Sequence, residues 1–297
     1  MKFHVRHLTS YTYAEPVSLS HHVVHLVPRP DGGQLCTFRE LKVTPTPAVQ
    51  RERIDHFGNR AIYFSVEESH RELAVEAQSE VIVPQTPAPP LSSCQPWESV
   101  RDRLCSERRS DVLSAYALTF DSPYVKASTA LREYAATSFV RGRPVLDAIM
   151  DLTRRIYSDF TYDPRATNVS TPLADVLRNR RGVCQDFAHL QIGCLRSVGL
   201  PGRYVSGYLR TIPPPDRPLL IGADASHAWV SFYLPDFGWV DFDPTNGLMP
   251  SDQHITIAYG RDFGDVTPVR GVILGGGAHE LTVNVDVRPL DLTESAH

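Results

Sequence analysis

The chain has 297 residues, 42% apolar and 22% charged, with a formal net charge of −4. That length allows two domains at roughly 100–200 residues each, and the charge lacks the basic excess that nucleic acid or an anionic membrane surface would demand. No stretch approaches the ~18 unbroken apolar residues of a membrane helix, residues 1–7 lack the apolar core of a signal peptide, and the five cysteines form no CxxC pair. The expectation is a cytoplasmic protein with free thiols and neither a nucleic-acid nor a membrane partner.

Residues 1–84 read as an antiparallel β-sandwich. β-Branched and aromatic residues alternate at 3–13, and further strands are predicted over 36–43, 61–66 and 73–83, with a turn at 55–60. His21, His22 and His25 cluster here without a carboxylate or cysteine at ligand spacing, so they are read as structural rather than metal-binding. Residues 85–94 are a proline-rich linker, and 95–297 form the second domain. Helical spacing runs over 125–139 and 144–157. A short helix follows to 179, with Thr171 as N-cap and Pro172 at its first position. Gly182 is read as a sharp break before a helix that begins at Cys184 and stops at Gly199 and Pro201. Strands are predicted over 203–209, 228–234, 239–242 and 280–287, the last placed to pair back with the first domain, and a proline-rich loop covers 213–218. Helices followed by an antiparallel sheet make the whole an α+β fold.

Cys184 falls in the first turn of its helix, where free N–H groups and the helix dipole favour an anionic sulfur. Free cysteines are also commonly small buried hydrophobes, so position alone leaves both readings open. A nucleophile needs a base and a group that orients the base. His227, at the mouth of one strand, and Asp243, at the end of the next, are the candidates. A connection of three or five residues centred on Pro235 would oppose 227 and 243 on one face, with Cβ atoms roughly 5 Å apart; an even loop would put them on opposite faces. Arg178, Arg180 and Arg181 either raise the local positive potential or form a solvated helix end. Asp262 and Asp265 are too few for a calcium loop and are read as lining a loop near the cleft. Cys184, His227 and Asp243 as a zinc set would lack close-spaced ligand pairs. No metal or cofactor is expected.

Three segments in order, 182–188 around Cys184, 227–230 around His227, and Trp239 with Asp243-Pro244-Thr245, resemble the transglutaminase-like cysteine enzyme superfamily. Residues 7–13 and 26–29 resemble the β-rich region that precedes this core in bacterial members. The resemblance implies a papain-like arrangement, a cysteine helix packed on an antiparallel sheet. It implies Cys184 as nucleophile, His227 as base and then acid, and Asp243 as the group that holds the imidazole tautomer. It further implies an oxyanion held by the Cys184 N–H and by Tyr162, with Gln185 a second candidate, and a substrate cleft beside Trp229. The substrate class is an amide or carboxamide in a peptide or protein, attacked to give a thioester that water or a primary amine resolves. Hydrolysis is the favoured outcome, because no crosslinking-associated domain is visible. Specificity is assigned to the loop 209–224. The alternative is a catalytically silent peptide-binding module on the same fold.

Overall fold

The computed structural model describes residues 1–30, 32–85, 94–210 and 226–290. All but the ends of the expected linker, the whole of the proline-rich 213–218 loop and nearly all of the specificity loop lie outside the described residues. The first domain is built along strand β1 (Lys2–Val24). Phe3, Val5, His7 and Thr9 are buried at alternate positions, as the two-residue period of a strand requires; after a bend near 14–16 the buried set becomes Ser20, His22 and Val24. Strands β2 (Leu35–Thr44), β3 (Val49–Ile54), β4 (Arg60–Val66) and β5 (His70–Ile82) complete the order β2-β5-β1-β4-β3. β5 flanks mainly the first half of β1 and β4 its second half. Phe64 and Val66 of β4 meet Leu73 and Val75 of β5 in one core with Tyr13 and Val17. The two layers of this antiparallel domain are therefore halves of one sheet that folds over on itself. β3, Val-Gln-Arg-Glu-Arg-Ile, is exposed throughout, and no apolar alternation announces it.

The second domain packs α1 (Trp97–Ser106), α2 (Ser110–Tyr116), α3 (Thr129–Ala136), α4 (Val145–Asp159), α5 (Leu173–Asn179) and α6 (Cys184–Ser197) with a four-stranded sheet. Two-residue strands β6 (Thr161–Tyr162) and β7 (Arg181–Gly182) lie beside α5. The sheet order is β10-β9-β8-β11, from β8 (Arg203–Leu209), β9 (Ser226–Leu234), β10 (Gly238–Phe242) and β11 (His254–Gly260). Helix α6 is buried along nearly its whole length, and Phe187, Leu190, Ile192 and Leu195 join Ile149, Leu152, Val230 and Phe232 in the main core. Complete burial of such a side chain contributes roughly 1.5–3 kcal/mol. Helix α3 is shorter than the predicted 125–139 because Ser128 caps it, its hydroxyl accepting the Leu131 N–H. Thr171 does not cap α5: Pro172 holds that position, and the Thr171 hydroxyl accepts the Asn168 N–H instead.

After α7 (Phe263–Val266), strands β12 (Val269–Gly275) and β13 (His279–Leu290) leave the second domain and pair antiparallel with β1, β13 along Lys2–Tyr13 and β12 along Val17–Val24. Residues 269–290 thus add two strands to the sheet of the first domain. The domains also meet at the outer edge of β11. There the Gln34 amide bonds both N–H and C=O of Thr256, and the Asn59 amide does the same for Tyr259, at 2.7–2.9 Å. Two side chains, with the Arg29 N–H donating to the Thr256 carbonyl at 3.2 Å, thereby stand in for a neighbouring strand at this edge. Among the described residues no helix is long and apolar enough to cross a membrane.

Candidate active site

Helix α5 ends at Arg180, which takes the left-handed conformation (φ 55°) and makes the turn assigned above to Gly182. Gly182 is needed for a different reason. A Cβ there would lie 2.6 Å from Asp186 Oδ2 and 2.8 Å from Asp186 Cβ, because that side chain folds back over residue 182. Asp186 Oδ2 accepts the Val183 N–H at 2.8 Å and the Thr167 hydroxyl at 2.6 Å, closing the first turn of α6. Burial raises the Asp186 carboxyl above its ordinary range, against the pull of those two donors. Tyr162 sits level with Gly182 in the parallel β6–β7 pair, so the phenol and Cys184 are brought to one place. Its pKa is pushed up to about 12 by burial first and then by the charges of Cys184 and Asp186, so it stays a hydrogen-bond donor at neutral pH.

β9 and β10 are joined by three residues, 235–237, with Leu234 paired to Gly238. The connection is odd, but its centre is Asp236, in the left-handed region at φ 71°, rather than Pro235. Moving the centre by one residue shifts the partner by two and preserves the face. Continuing the register places 243 across from Trp229 and not from His227, so the His227–Asp243 pair is diagonal rather than directly opposed. The imidazole still reaches: His227 Nε2–H donates to Asp243 Oδ2 at 2.9 Å, both side chains fully buried. Trp229 repeats the diagonal, its indole N–H donating to Asp241 at 2.9 Å. The other ring nitrogen, His227 Nδ1, has no nitrogen or oxygen partner among the described residues, and the Cys184 sulfur is the remaining group that acts on this imidazole. Burial disfavours the charged ring, but the Asp243 carboxylate and then Cys184 outweigh it and raise its pKa. Asp243 is held well below the usual carboxylate range: burial opposes this, and His227 and His254 overcome it.

His254 and Asn246 belong to the same cluster, and the sequence reading did not assign them. Asp243 Oδ2 also accepts from Asn246 Nδ2 at 2.7 Å and from His254 Nε2 at 3.2 Å, while Oδ1 takes the Thr245 and Asn246 N–H groups at 2.9 and 3.2 Å. The signal for Asn246 lay in the Asp-Pro-Thr-Asn turn, where an Asp side chain commonly bonds backbone two residues on. His254 opens β11, whose Ile255, Ile257 and Tyr259 alternate with smaller residues and mark a strand. His227, Asp243 and His254 are the one described trio whose donor atoms lie close enough to hold a metal, within 4.8 Å of one another. Both histidine Nε2 atoms lie within hydrogen-bond distance of one Asp243 oxygen, at 2.9 and 3.2 Å.

The other candidates fall elsewhere or act structurally. Gln185 is half-buried on the first turn of α6. Trp229 is fully buried against Val205 and Tyr259. It bounds a cleft of about 370 Å³ between the two domains, together with Gln34, Arg203, Trp239 and His254, and neither Cys184 nor His227 lines that space. Arg178 pairs with Asp175 and Arg181 with Asp163, while Arg180 lies over the Tyr134 and Phe160 rings, so all three are engaged away from the cysteine. Asp262 is buried, caps α7 and accepts the Tyr124 N–H; Asp265 pairs with Arg261. His21 and His22 stack on Tyr63 and Phe64.

Residues 3–82 match the model of the bacterial transglutaminase-like N-terminal region, and residues 132–244 match that of the transglutaminase-like superfamily. An uncharacterized protein of Mycobacterium tuberculosis is 39% identical over 300 residues, covering 98% of this chain and 93% of that one. An uncharacterized protein of Mycobacterium leprae is 32% identical over 97% of this chain and 99% of its own length. A protein-glutamine gamma-glutamyltransferase of Pseudomonas aeruginosa is 33% identical over 92 residues, 31% of this chain and 14% of that one. A crystal structure from Cytophaga hutchinsonii, provisionally named a cysteine protease, shares the fold with a TM-score of 0.74 and 24% identity, covering 99% of this chain and 92% of that one. The cysteine segment, the histidine strand and the aspartate turn lie within or at the edge of the matched core, and the chain belongs to the transglutaminase-like superfamily.

Proposed function

We propose that this protein is a cysteine enzyme that cleaves amide or carboxamide bonds in peptides or proteins through a thioester on Cys184. The observation that carries the reading is the buried His227–Asp243 hydrogen bond of 2.9 Å with Cys184 acting on the same imidazole from the helix start. The sulfur, its proton held by His227, attacks the carbonyl carbon. The oxyanion so formed is met by the Cys184 N–H, one of the helix N–H groups without an intrahelical partner, and by the Tyr162 hydroxyl. His227 gives its proton to the departing nitrogen, the C–N bond breaks, and the acyl group remains on sulfur. A second nucleophile then loses its proton to His227 and releases the acyl group, restoring the thiolate–imidazolium pair. Water is the acceptor in this reading because it requires no second binding site. The similarity to the Pseudomonas glutamyltransferase over 92 residues favours a primary amine as the other reading.

Glutamine peptides offered with and without a labelled primary amine distinguish the two. Ammonia or cleavage alone marks a hydrolase, amine incorporation marks a transferase, and either must vanish in Cys184→Ala. Absence of turnover across a broad panel, with Cys184 alkylated by iodoacetamide no faster than the other cysteines, would leave the silent binding module.

A further inference from the structure

Asp243 Oδ2 serves three donors at once: His227 Nε2, Asn246 Nδ2 and His254 Nε2. Its partner oxygen Oδ1 is already fixed by two backbone N–H groups. A second imidazole is therefore not required to hold the carboxylate in place, and its presence on the very oxygen that grips His227 calls for another explanation. His254 is buried, its ring stands edge-on to Trp229 at 5.2 Å, and its Nδ1 accepts the Ser251 N–H at 3.5 Å, which leaves Nε2 as the protonated nitrogen of a neutral ring. The charged and titratable groups facing it are Asp243, His227 and Asp241; those facing His227 are Asp243 and Cys184. Burial keeps His254 from charging, and His227 adds to that effect against the two carboxylates.

We propose that His254 is a positioning residue of the Cys184 site: a neutral imidazole whose Nε2–H shares the Asp243 oxygen with His227 and tempers that oxygen's hold on the His227 proton. Each donor on a carboxylate draws off part of its negative charge, so the hydrogen bond to His227 weakens as the others form. A base that grips less tightly leaves the imidazolium a better acid toward the departing nitrogen. This role rests on the cysteine-enzyme reading above.

The test needs no knowledge of the substrate. The pH dependence of Cys184 alkylation by iodoacetamide in the full-length protein should rise in two steps, the upper one reporting loss of the His227 proton. His227→Ala should merge the two steps into a single one at the pH of an unassisted thiol; if two steps remain, the cysteine-enzyme reading fails before this one is reached. In His254→Phe, which keeps the ring on Trp229 without the donor, the upper step should move to higher pH by about half a unit to one unit, the direction expected when a carboxylate loses a donor. In His254→Gln, whose amide can place an N–H where Nε2 was, the step should return to the wild-type position. Folding of each variant is checked by far-ultraviolet circular dichroism, and if the phenylalanine variant does not fold, His254→Leu replaces it. A step that stays put or moves down without the donor, or moves as far in the glutamine variant, overturns the proposal.

Discussion

Replacing Gly182 by alanine tests how the Cys184 helix is started. The backbone at 182 is not in the left-handed region, so the new methyl group strains no dihedral; what it meets is Asp186, at 2.6 Å from Oδ2 and 2.8 Å from Cβ. No real Cβ sits that close, and Asp186 must swing away. In doing so it gives up the Val183 N–H and the Thr167 hydroxyl. Loss of an N-terminal cap costs about 0.5–2 kcal/mol, and a buried polar group left without its partner about 1–3 kcal/mol more. The expected destabilisation is therefore about 2–4 kcal/mol, read from guanidinium denaturation, with slower alkylation of Cys184 as its first turn loosens. The discriminating experiment is the double-mutant cycle with Asp186→Ala, since residues in contact couple and distant ones add. In that background Gly182→Ala should cost under ~0.5 kcal/mol, because the obstacle is gone. Equal cost in both backgrounds would refute the close-approach explanation and return the turn explanation to favour.

Burial lowers the pKa of His7, His22 and His189 to about 4 in the fold. The unfolded chain binds protons at these sites below about pH 6.5 while the folded chain does not, so stability should fall as pH drops from 6.5 toward 4. A denaturation midpoint that stays flat across that window contradicts this. Arg196, buried in α6, donates to the carbonyls of Leu118, Val125 and Arg261 and to the Ser122 hydroxyl; Arg196→Met should cost about 3–5 kcal/mol, and a loss below ~1 kcal/mol would show those acceptors to be otherwise satisfied. Gly207, paired with His227, has no room for a Cβ, which would lie 2.2 Å from the Ile255 oxygen and 2.3 Å from the Trp229 ring. Gly207→Ala should cost about 1–3 kcal/mol and change the near-ultraviolet circular dichroism of the tryptophans; an unchanged spectrum would show that Trp229 had not moved.

Where one physical signal dominated, the sequence was readable. Strand Arg203–Leu209 carries its β-branched and aromatic residues with glycine and proline stops, and its observed bounds are those predicted. The histidine–aspartate pairing depended on the parity of a short loop and on nothing else nearby. Features missed are those that hang on distant or non-periodic partners. Helices α1 and α2 each bury only two side chains, Val100 with Leu104 and Val112 with Ala115, too few to stand out among charged neighbours. His254 joins Asp243 from eleven residues away through a strand pairing that runs to β8, not β10. The reason for Gly182 was hidden for the same cause: a glycine can answer to a neighbour's side chain as well as to its own dihedrals.

Because β13 runs along residues 2–13 and β12 along 17–24 of β1, the second domain is in effect a long insertion between strands of one sheet. During synthesis, β1 emerges long before β12 and β13 and lacks one whole flank until more than 240 further residues have been added. Its early partners β4 and β5 can form with it at once, whereas the opposite edge stays open through the making of the core. Closure of that edge ties together segments made far apart in time. Proteolytic removal of the segment from 269 onward would therefore strip the far N-terminal strand rather than the helices beside it in sequence, and the wound would open in the domain made first.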